Sequence, residues 1–142
     1  MAERYPTLAK AIDWAAVVAG FVVSFVIAVL LGLIVSAVGI SLGPVTSTII
    51  VFISLLCGGW FAGYMAPANG VLHGLLVAAL SIVVSSIVAA AALAGATLLV
   101  PGAAVGAVGP GALFIVFIIQ LIGGAIGGYI GELTSARPAV RT

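Results

Sequence analysis

Four long apolar stretches, separated by short breaks rich in glycine and proline, make up most of the chain. A helix rises about 1.5 Å per residue, so about 20 apolar residues cross the hydrocarbon core of a bilayer, and every stretch reaches that length. The pattern predicts an all-α integral membrane protein of one domain covering residues 1–142. We expect four transmembrane helices at residues of about 12–38, 45–66, 71–100 and 112–132.

The breaks between these stretches carry the chemistry of turns. Residues 39–44 contain glycine and proline, and Pro67, Asn69 and Gly70 separate the second helix from the third. Thr46 or Ser47 is placed to cap the second helix. The third break, at residues 101–111, holds two prolines and several glycines but no charge. This last loop either lies at the membrane surface or dips into the membrane.

Small residues recur at every fourth position on three of the helices, a spacing that lets helix backbones approach closely in lipid. They are Ala16, Gly20, Ser24, Ala28, Gly32 and Ser36 on the first helix, Gly58, Gly59, Ala62, Gly63 and Ala66 on the second, and Gly123, Gly124, Gly127, Gly128 and Gly131 on the fourth. We expect glycine-zipper packing along these ridges, with the second and fourth helices in contact. A chain this rich in alanine and glycine also makes such stripes by chance, so the stripe on the first helix has two interpretations.

An internal repeat relates the second helix to the fourth. When the chain is shifted by 65 residues, 9 of 23 positions are identical between residues 44–66 and 109–131, including the Gly-Gly pair and a following Gly-Tyr. Unrelated segments of this composition are expected to share about 2 or 3. A duplicated helical hairpin explains the match, and the copies then cross the membrane in the same direction. Convergent packing of glycine-rich helix ends is the alternative.

One segment resembles a known family. The pattern G-G-x-x-A-G-x-x-A-P at residues 58–67, followed by G-x-L-H-G-L-L at residues 70–76, is similar to that of small four-helix prokaryotic membrane proteins of unknown function, the YrzE-like type. The resemblance covers the middle hairpin, and elsewhere only the apolar spans. It implies the four-span layout and transfers no catalytic residue.

Composition and charge narrow the class of protein. Of the 142 residues, 65% are hydrophobic and only 5% are charged, against about 25% in a soluble domain. A chain of this composition has no basic patch for nucleic acid. Its expected partners are membrane lipids and other integral membrane subunits. The four cations, Arg4, Lys10, Arg137 and Arg141, lie in the two tails. An even number of spans places them on one face, so we expect a multi-pass protein of the cell membrane with both termini cytoplasmic.

Two titratable residues stand near the cytoplasmic interface of this layout. His73 is the only histidine, and Glu132 lies near the end of the fourth helix, so the two are candidates for a pH-sensitive pair. A neutral imidazole also suits a haem or pigment metal, although no cofactor is otherwise implied. The alternative is an interfacial histidine bonded to a carbonyl, to a lipid head group or to Glu132. No second metal ligand accompanies it.

Uncharged polar residues lie near the middle of each span, namely Gln120, Ser24, Ser54, Ser85 and Ser86. They either line a path for a neutral solute or form hydrogen bonds between helices, which contribute about 0.6 kcal/mol each. No charged residue lies near the centre of a span, which argues against ion-coupled transport. Neither Cys57 nor any serine has a base at a recognisable spacing, so we expect no enzyme. The sequence favours an accessory subunit of a larger membrane complex; the alternative is a homo-oligomeric channel or transporter for a small neutral solute.

Overall fold

The computed structural model describes residues 12–66, 68–99 and 110–135, and these residues form four α-helices. The helices are α1 (Trp14–Ala37), α2 (Pro44–Met65), α3 (Gly70–Leu99) and α4 (Pro110–Ser135). Each is long and apolar enough to cross a membrane, and the described ranges contain no strand. The predicted all-α architecture with four membrane-spanning helices is confirmed. Residues 101–109 of the predicted third loop lie outside the described ranges, whereas Pro110 and Gly111 belong to α4.

Local chemistry sets the helix ends. Asp13 caps α1, because its Oδ1 accepts hydrogen bonds from the backbone N–H groups of Ala15 and Ala16 at 3.0 and 3.3 Å. Gly39 follows α1 with a φ of +79°, a left-handed conformation that favours glycine after a helix. α2 begins at Pro44, because proline has no N–H to satisfy in the first helical turn. The predicted cap at Thr46 or Ser47 is wrong, since both residues lie inside α2, which follows Gly43 as its N-cap, and Ser47 donates to the Gly43 carbonyl.

The two neighbouring small-residue ridges of α2 face different helices. Gly58 packs on Gly20 of α1, where a Cβ atom added to Gly58 would lie 2.6 Å from the Cβ of Ser24. Gly59 packs on α4, where a Cβ atom would lie 2.5 Å from the Gly124 carbonyl oxygen. Successive residues are about 100° apart around a helix, so adjacent glycines point to separate partners. α2 therefore touches α1 and α4 at the same level, and its contact with α4 is the most extensive in the bundle.

α4 also meets α3 through glycine. A Cβ atom on Gly124 would collide with the Gly74 carbonyl and lie 2.8 Å from the Cβ of Ala78. Gly128 lies against Gly70 in the same way, one turn further along. α3 packs on α4 and α2 and only slightly on α1, while α1 and α4 make no contact within the described ranges.

Only the first half of the small-residue stripe on α1 faces α2. Ala16, Gly20 and Ser24 are buried, whereas a Cβ atom added to Gly32 would meet nothing within 4 Å among the described residues. A strict four-residue repeat advances about 40° around the helix at each step, because an α-helix has about 3.6 residues per turn. The stripe therefore turns away from α2 as it proceeds along α1.

The bundle has one tightly packed end. Hydrogen bonds join the start of α1, the start of α3 and the end of α4 there, at Asp13, Asn69, Gly70, His73 and Glu132; we call this the polar end. The buried hydrophobic cluster lies next to it and comprises Val17, Leu55, Ala62, Val77 and Ala78. Towards the opposite end, most side chains of residues 25–37 in α1 and 83–91 in α3 are exposed. Among the described side chains, packing is thus concentrated in one half of the bundle.

Candidate functional site

His73 is held at the polar end by both ring nitrogens and is only 1% exposed. Its Nδ1 lies 2.9 Å from the Asn69 carbonyl oxygen, which can only accept, so Nδ1 carries the proton. Its Nε2 then accepts a hydrogen bond from the backbone N–H of Asp13 at 2.9 Å. These partners define the neutral tautomer, and neither nitrogen is left for a metal or haem iron.

His73 and Asp13 together fasten α1 to α3. The Asp13 carboxylate caps α1, while the N–H of the same residue donates to a histidine 60 positions away on α3. The first N–H groups of a helix have no partner within the helix. His73 supplies a partner for the N–H of Asp13, an exposed residue, and so joins the start of α1 to α3.

Glu132 has a different partner from His73. Its Oε2 accepts from the backbone N–H of Gly70, the first residue of α3, at 2.8 Å. A carboxylate at the N-terminus of a helix also interacts favourably with the helix dipole. His73 and Glu132 therefore lie at the same end of the bundle without sharing a hydrogen bond.

Aromatic side chains border the same end. Trp60 donates from Nε1 to the Thr134 hydroxyl of α4 at 3.1 Å, and its ring lies 5.9 Å from that of Tyr64 between centroids. Both residues are exposed on their outer faces, as amphipathic aromatic residues at a membrane interface are. Trp60 thus links α2 to α4 beside the glycine contacts.

A second feature lies halfway along the helices, beyond the tightly packed half. It is a cleft of about 240 Å³ between α1, α2 and α3, with α4 at its floor, and we call it the mid-depth cleft. Five polar residues line it: Ser24, Ser54, Ser81, Ser85 and Gln120. The remaining lining residues are Phe21, Phe25, Ala28, Val51, Leu55, Val84 and Val88. The structure therefore gathers four of the predicted mid-membrane polar residues at one site, adds Ser81 and leaves Ser86 outside.

Three of the four serine hydroxyl groups that line the cleft donate to their own helices. Ser24 donates to Phe21, Ser54 to Ile50 and Ser85 to Ile82, at 2.8, 2.7 and 3.1 Å. Each hydroxyl proton is used in this way, so these side chains can offer only acceptor lone pairs to another group.

Gln120 differs from the serines of the cleft because its side chain has a buried oxygen without a hydrogen-bond partner. It is 9% exposed, and its Oε1 is the single buried side-chain nitrogen or oxygen without a hydrogen-bond partner among the described residues. A buried polar atom without a partner costs about 1–3 kcal/mol, so its presence requires an explanation.

Some of these features had no signal in the sequence. The bond from Asp13 to His73 uses a backbone N–H, which every residue except proline has, so residue type does not reveal it. Ser81 could have been found from its spacing of four from Ser85, which places both on one face of α3. Cys57 is half-buried. The described residues contain no group of three or more His, Cys, Asp or Glu side chains able to hold a metal ion.

No protein-family model, curated protein or solved structure matches this chain.

Proposed function

We propose that the protein is an accessory subunit that packs laterally against other integral membrane proteins and has no catalytic chemistry of its own. The observation that carries this proposal is Gly32. It lies inside a membrane-spanning helix, five residues before the helix ends, and no other segment among the described residues comes within 4 Å of the position where its Cβ atom would be.

A glycine in the middle of a helix costs about 0.5–1 kcal/mol relative to alanine. Gly20 offsets that cost, since the missing side chain allows α2 to approach. Gly32 has no such compensation within this structure, and it stands between Ala28 and Ser36 on a surface of small residues. A helix of a neighbouring subunit lying against Gly32 and Ser36 would provide this compensation.

The test is Gly32→Leu, compared with Ala37→Leu as the matched control. Ala37 is also small and exposed and belongs to the same helix, but it lies off the stripe. After extraction in a mild detergent, native mass measurement of the wild type should show the chain together with other subunits. Gly32→Leu should release the chain, while Ala37→Leu leaves the assembly intact. Recovery of the wild-type chain alone, or equal behaviour of the two variants, would overturn the proposal.

We also propose that the polar end faces the cytoplasm, with both termini on that side of the cell membrane. Hydrogen bonds bring the start of α1 and the end of α4 to the same end of the bundle, which supports this orientation. The cations of both tails would then follow the positive-inside tendency. In a Cys57→Ala background, a new cysteine in either tail should react with an impermeant thiol reagent only when the cytoplasmic face is open. Labelling of the two tails from opposite faces would contradict it.

A duplicated hairpin with glycine-zipper packing accounts best for the contact between α2 and α4. Gly59 lies against Gly124 and Gly63 against Gly128, so residues 65 positions apart meet at the interface. Equivalent residues meet in this way when two copies of one parallel helix pack on each other. The sequence repeat and this register support the same origin.

A path for a small neutral solute through a homo-oligomer is the second candidate. The observation that favours it is the set of Ser24, Ser54, Ser85 and Gln120 around one cleft. Stoichiometry separates the two proposals, because the solute path requires several copies of this chain, whereas an accessory subunit co-purifies with other chains.

A further inference from the structure

We propose that the mid-depth cleft is a binding site for a small neutral amphiphile, an apolar molecule bearing a hydroxyl or N–H donor, with Gln120 as its hydrogen-bond acceptor. The site rests on two independent observations. One is the cleft itself, and the other is a buried amide oxygen without a partner on a residue that lines it.

The size of the cleft sets the size of the ligand. Its volume is about 240 Å³. Cavities of about 150 Å³ hold a benzene molecule, so this cleft takes a single ring or a short alkyl chain with one polar group. Seven of the twelve lining residues are apolar, which favours a ligand that is mainly hydrocarbon.

The polar atoms of the cleft define the chemistry of the ligand. Ser24, Ser54 and Ser85 use their protons on their own helices, and the Gln120 oxygen has no donor, so these four groups present acceptors beside the Ser81 hydroxyl and the Gln120 amide N–H groups, which can also donate. A ligand that carries only acceptors would leave them unsatisfied. The described lining includes no charged side chain, so an ionised ligand would find no counter-charge. The matching ligand is neutral and brings a donor.

Entry takes place from the side, between α1 and α3. The lining residues Phe25 and Val88 are 59% and 61% exposed, on the surface that lipid tails cover in a membrane. The tightly packed half, where Gly20 meets Gly58, lies between the cleft and the polar end. The ligand therefore reaches the site from the hydrocarbon phase, in which neutral amphiphiles dissolve and no water competes for Gln120.

The experiment uses the full chain in lipid nanodiscs and an octanol that carries a photoreactive diazirine as the probe. Illumination followed by peptide mapping should place the label at cleft residues such as Val51 and Val84, with saturation as the probe fraction rises. Octan-1-ol should compete about 5- to 10-fold better than its methyl ether, which lacks the donor, because one hydrogen bond is worth that ratio.

Variants assign the effect to the cleft. Gln120→Leu should weaken the labelling about 5- to 10-fold. Ser86→Ala is the matched control, since Ser86 bonds to the same Ile82 carbonyl as Ser85 but does not line the cleft, and it should change nothing. Ala28→Phe should fill the cleft and abolish the labelling, and it tests the site even if Gln120→Leu fails to fold.

Three results would overturn the proposal. They are labelling that never saturates and spreads evenly over the exposed faces of α1 and α3, equal competition by octanol and its methyl ether, and wild-type labelling in Ala28→Phe. The first result would mean that lipid tails or water fill the cleft. The proposal is independent of the lateral partner, because Gly32→Leu should release partner subunits and leave the saturable labelling unchanged.

Discussion

Replacement of Gly59 by alanine tests the contact that defines this bundle. An added Cβ atom would lie 2.5 Å from the Gly124 carbonyl oxygen, while ordinary van der Waals contact begins near 3.4 Å. The nearest atoms all belong to the backbone of α4, so no side chain can rotate away to make room. α2 and α4 must therefore separate by about 0.9 Å, a gap that forfeits a quarter to a half of the dispersion energy of the affected contacts.

We expect overpacking at Gly59 to cost about 1–3 kcal/mol. Alanine also favours the helix over glycine by about 0.5–1 kcal/mol, which partly offsets this cost. Gly32→Ala is the matched control. Alanine brings the same gain in helix propensity there, and its Cβ atom would have no neighbour within 4 Å among the described residues. The difference between the two variants isolates the cost of separating α2 from α4.

Trp60 provides the assay, since it lies on α2 and donates to Thr134 on α4. With Trp14→Phe as the background, Trp60 is the only tryptophan, and its fluorescence reports the separation of these helices. Unfolding by increasing fractions of a denaturing detergent should occur earlier for Gly59→Ala than for the parent. For Gly32→Ala, unfolding should occur at the same detergent fraction as for the parent or at a higher one. Equal midpoints for the two variants would refute the close approach of α2 and α4.

The hydrogen bonds of the polar end give two further predictions in the same unfolding assay. His73→Phe should lower stability by about 0.5–1.5 kcal/mol, the net worth of one hydrogen bond, because the N–H of the exposed Asp13 loses its acceptor, whereas the Asn69 carbonyl keeps a backbone bond to residue 73. A stability equal to that of the parent would show that this bond contributes nothing. Glu132→Leu should cost about 1–3 kcal/mol by leaving the Gly70 N–H without an acceptor. Glu132→Gln retains an acceptor and should lose only about 0.3–1 kcal/mol of interaction with the helix dipole; equal losses would contradict this account.

The existence of the helices could be predicted from the sequence, but some of their ends were placed incorrectly. Length and apolar character alone identify spans, because lipid forces every backbone group to bond within its own helix. Pro44 was assigned to a turn, although proline is favoured in the first turn of a helix. The predicted first span began at about residue 12, in front of Asp13, although an aspartate before an apolar run is a common helix cap.

The partner of each small residue could not be predicted. Gly58 and Gly59 are neighbours in sequence, yet they face α1 and α4, and only the arrangement of the helices decides this. The stripe on α1 reads as one face from Ala16 to Ser36, but its rotation about the helix axis takes Gly32 away from α2. The depth of Gln120 was predictable from its position within the fourth span. The lack of a partner for its oxygen could not be predicted, because it depends on the spacing of three other helices.

The two halves of the bundle differ in how their polar groups are satisfied, and the two binding proposals rest on this difference. At the polar end the ring nitrogens of His73 and a carboxylate oxygen of Glu132 bond to backbone groups of other segments, so a ligand there would have to displace bonds already made. At mid-depth Gln120 keeps an unpaired oxygen, and Gly32 further along leaves room for a neighbour. Both features are costly within this chain, and the proposed contacts with a neighbouring subunit and a bound amphiphile would relieve these costs. Substitutions at the polar end should therefore change the stability of the bundle, whereas substitutions of Gln120 or Gly32 should change what the protein binds.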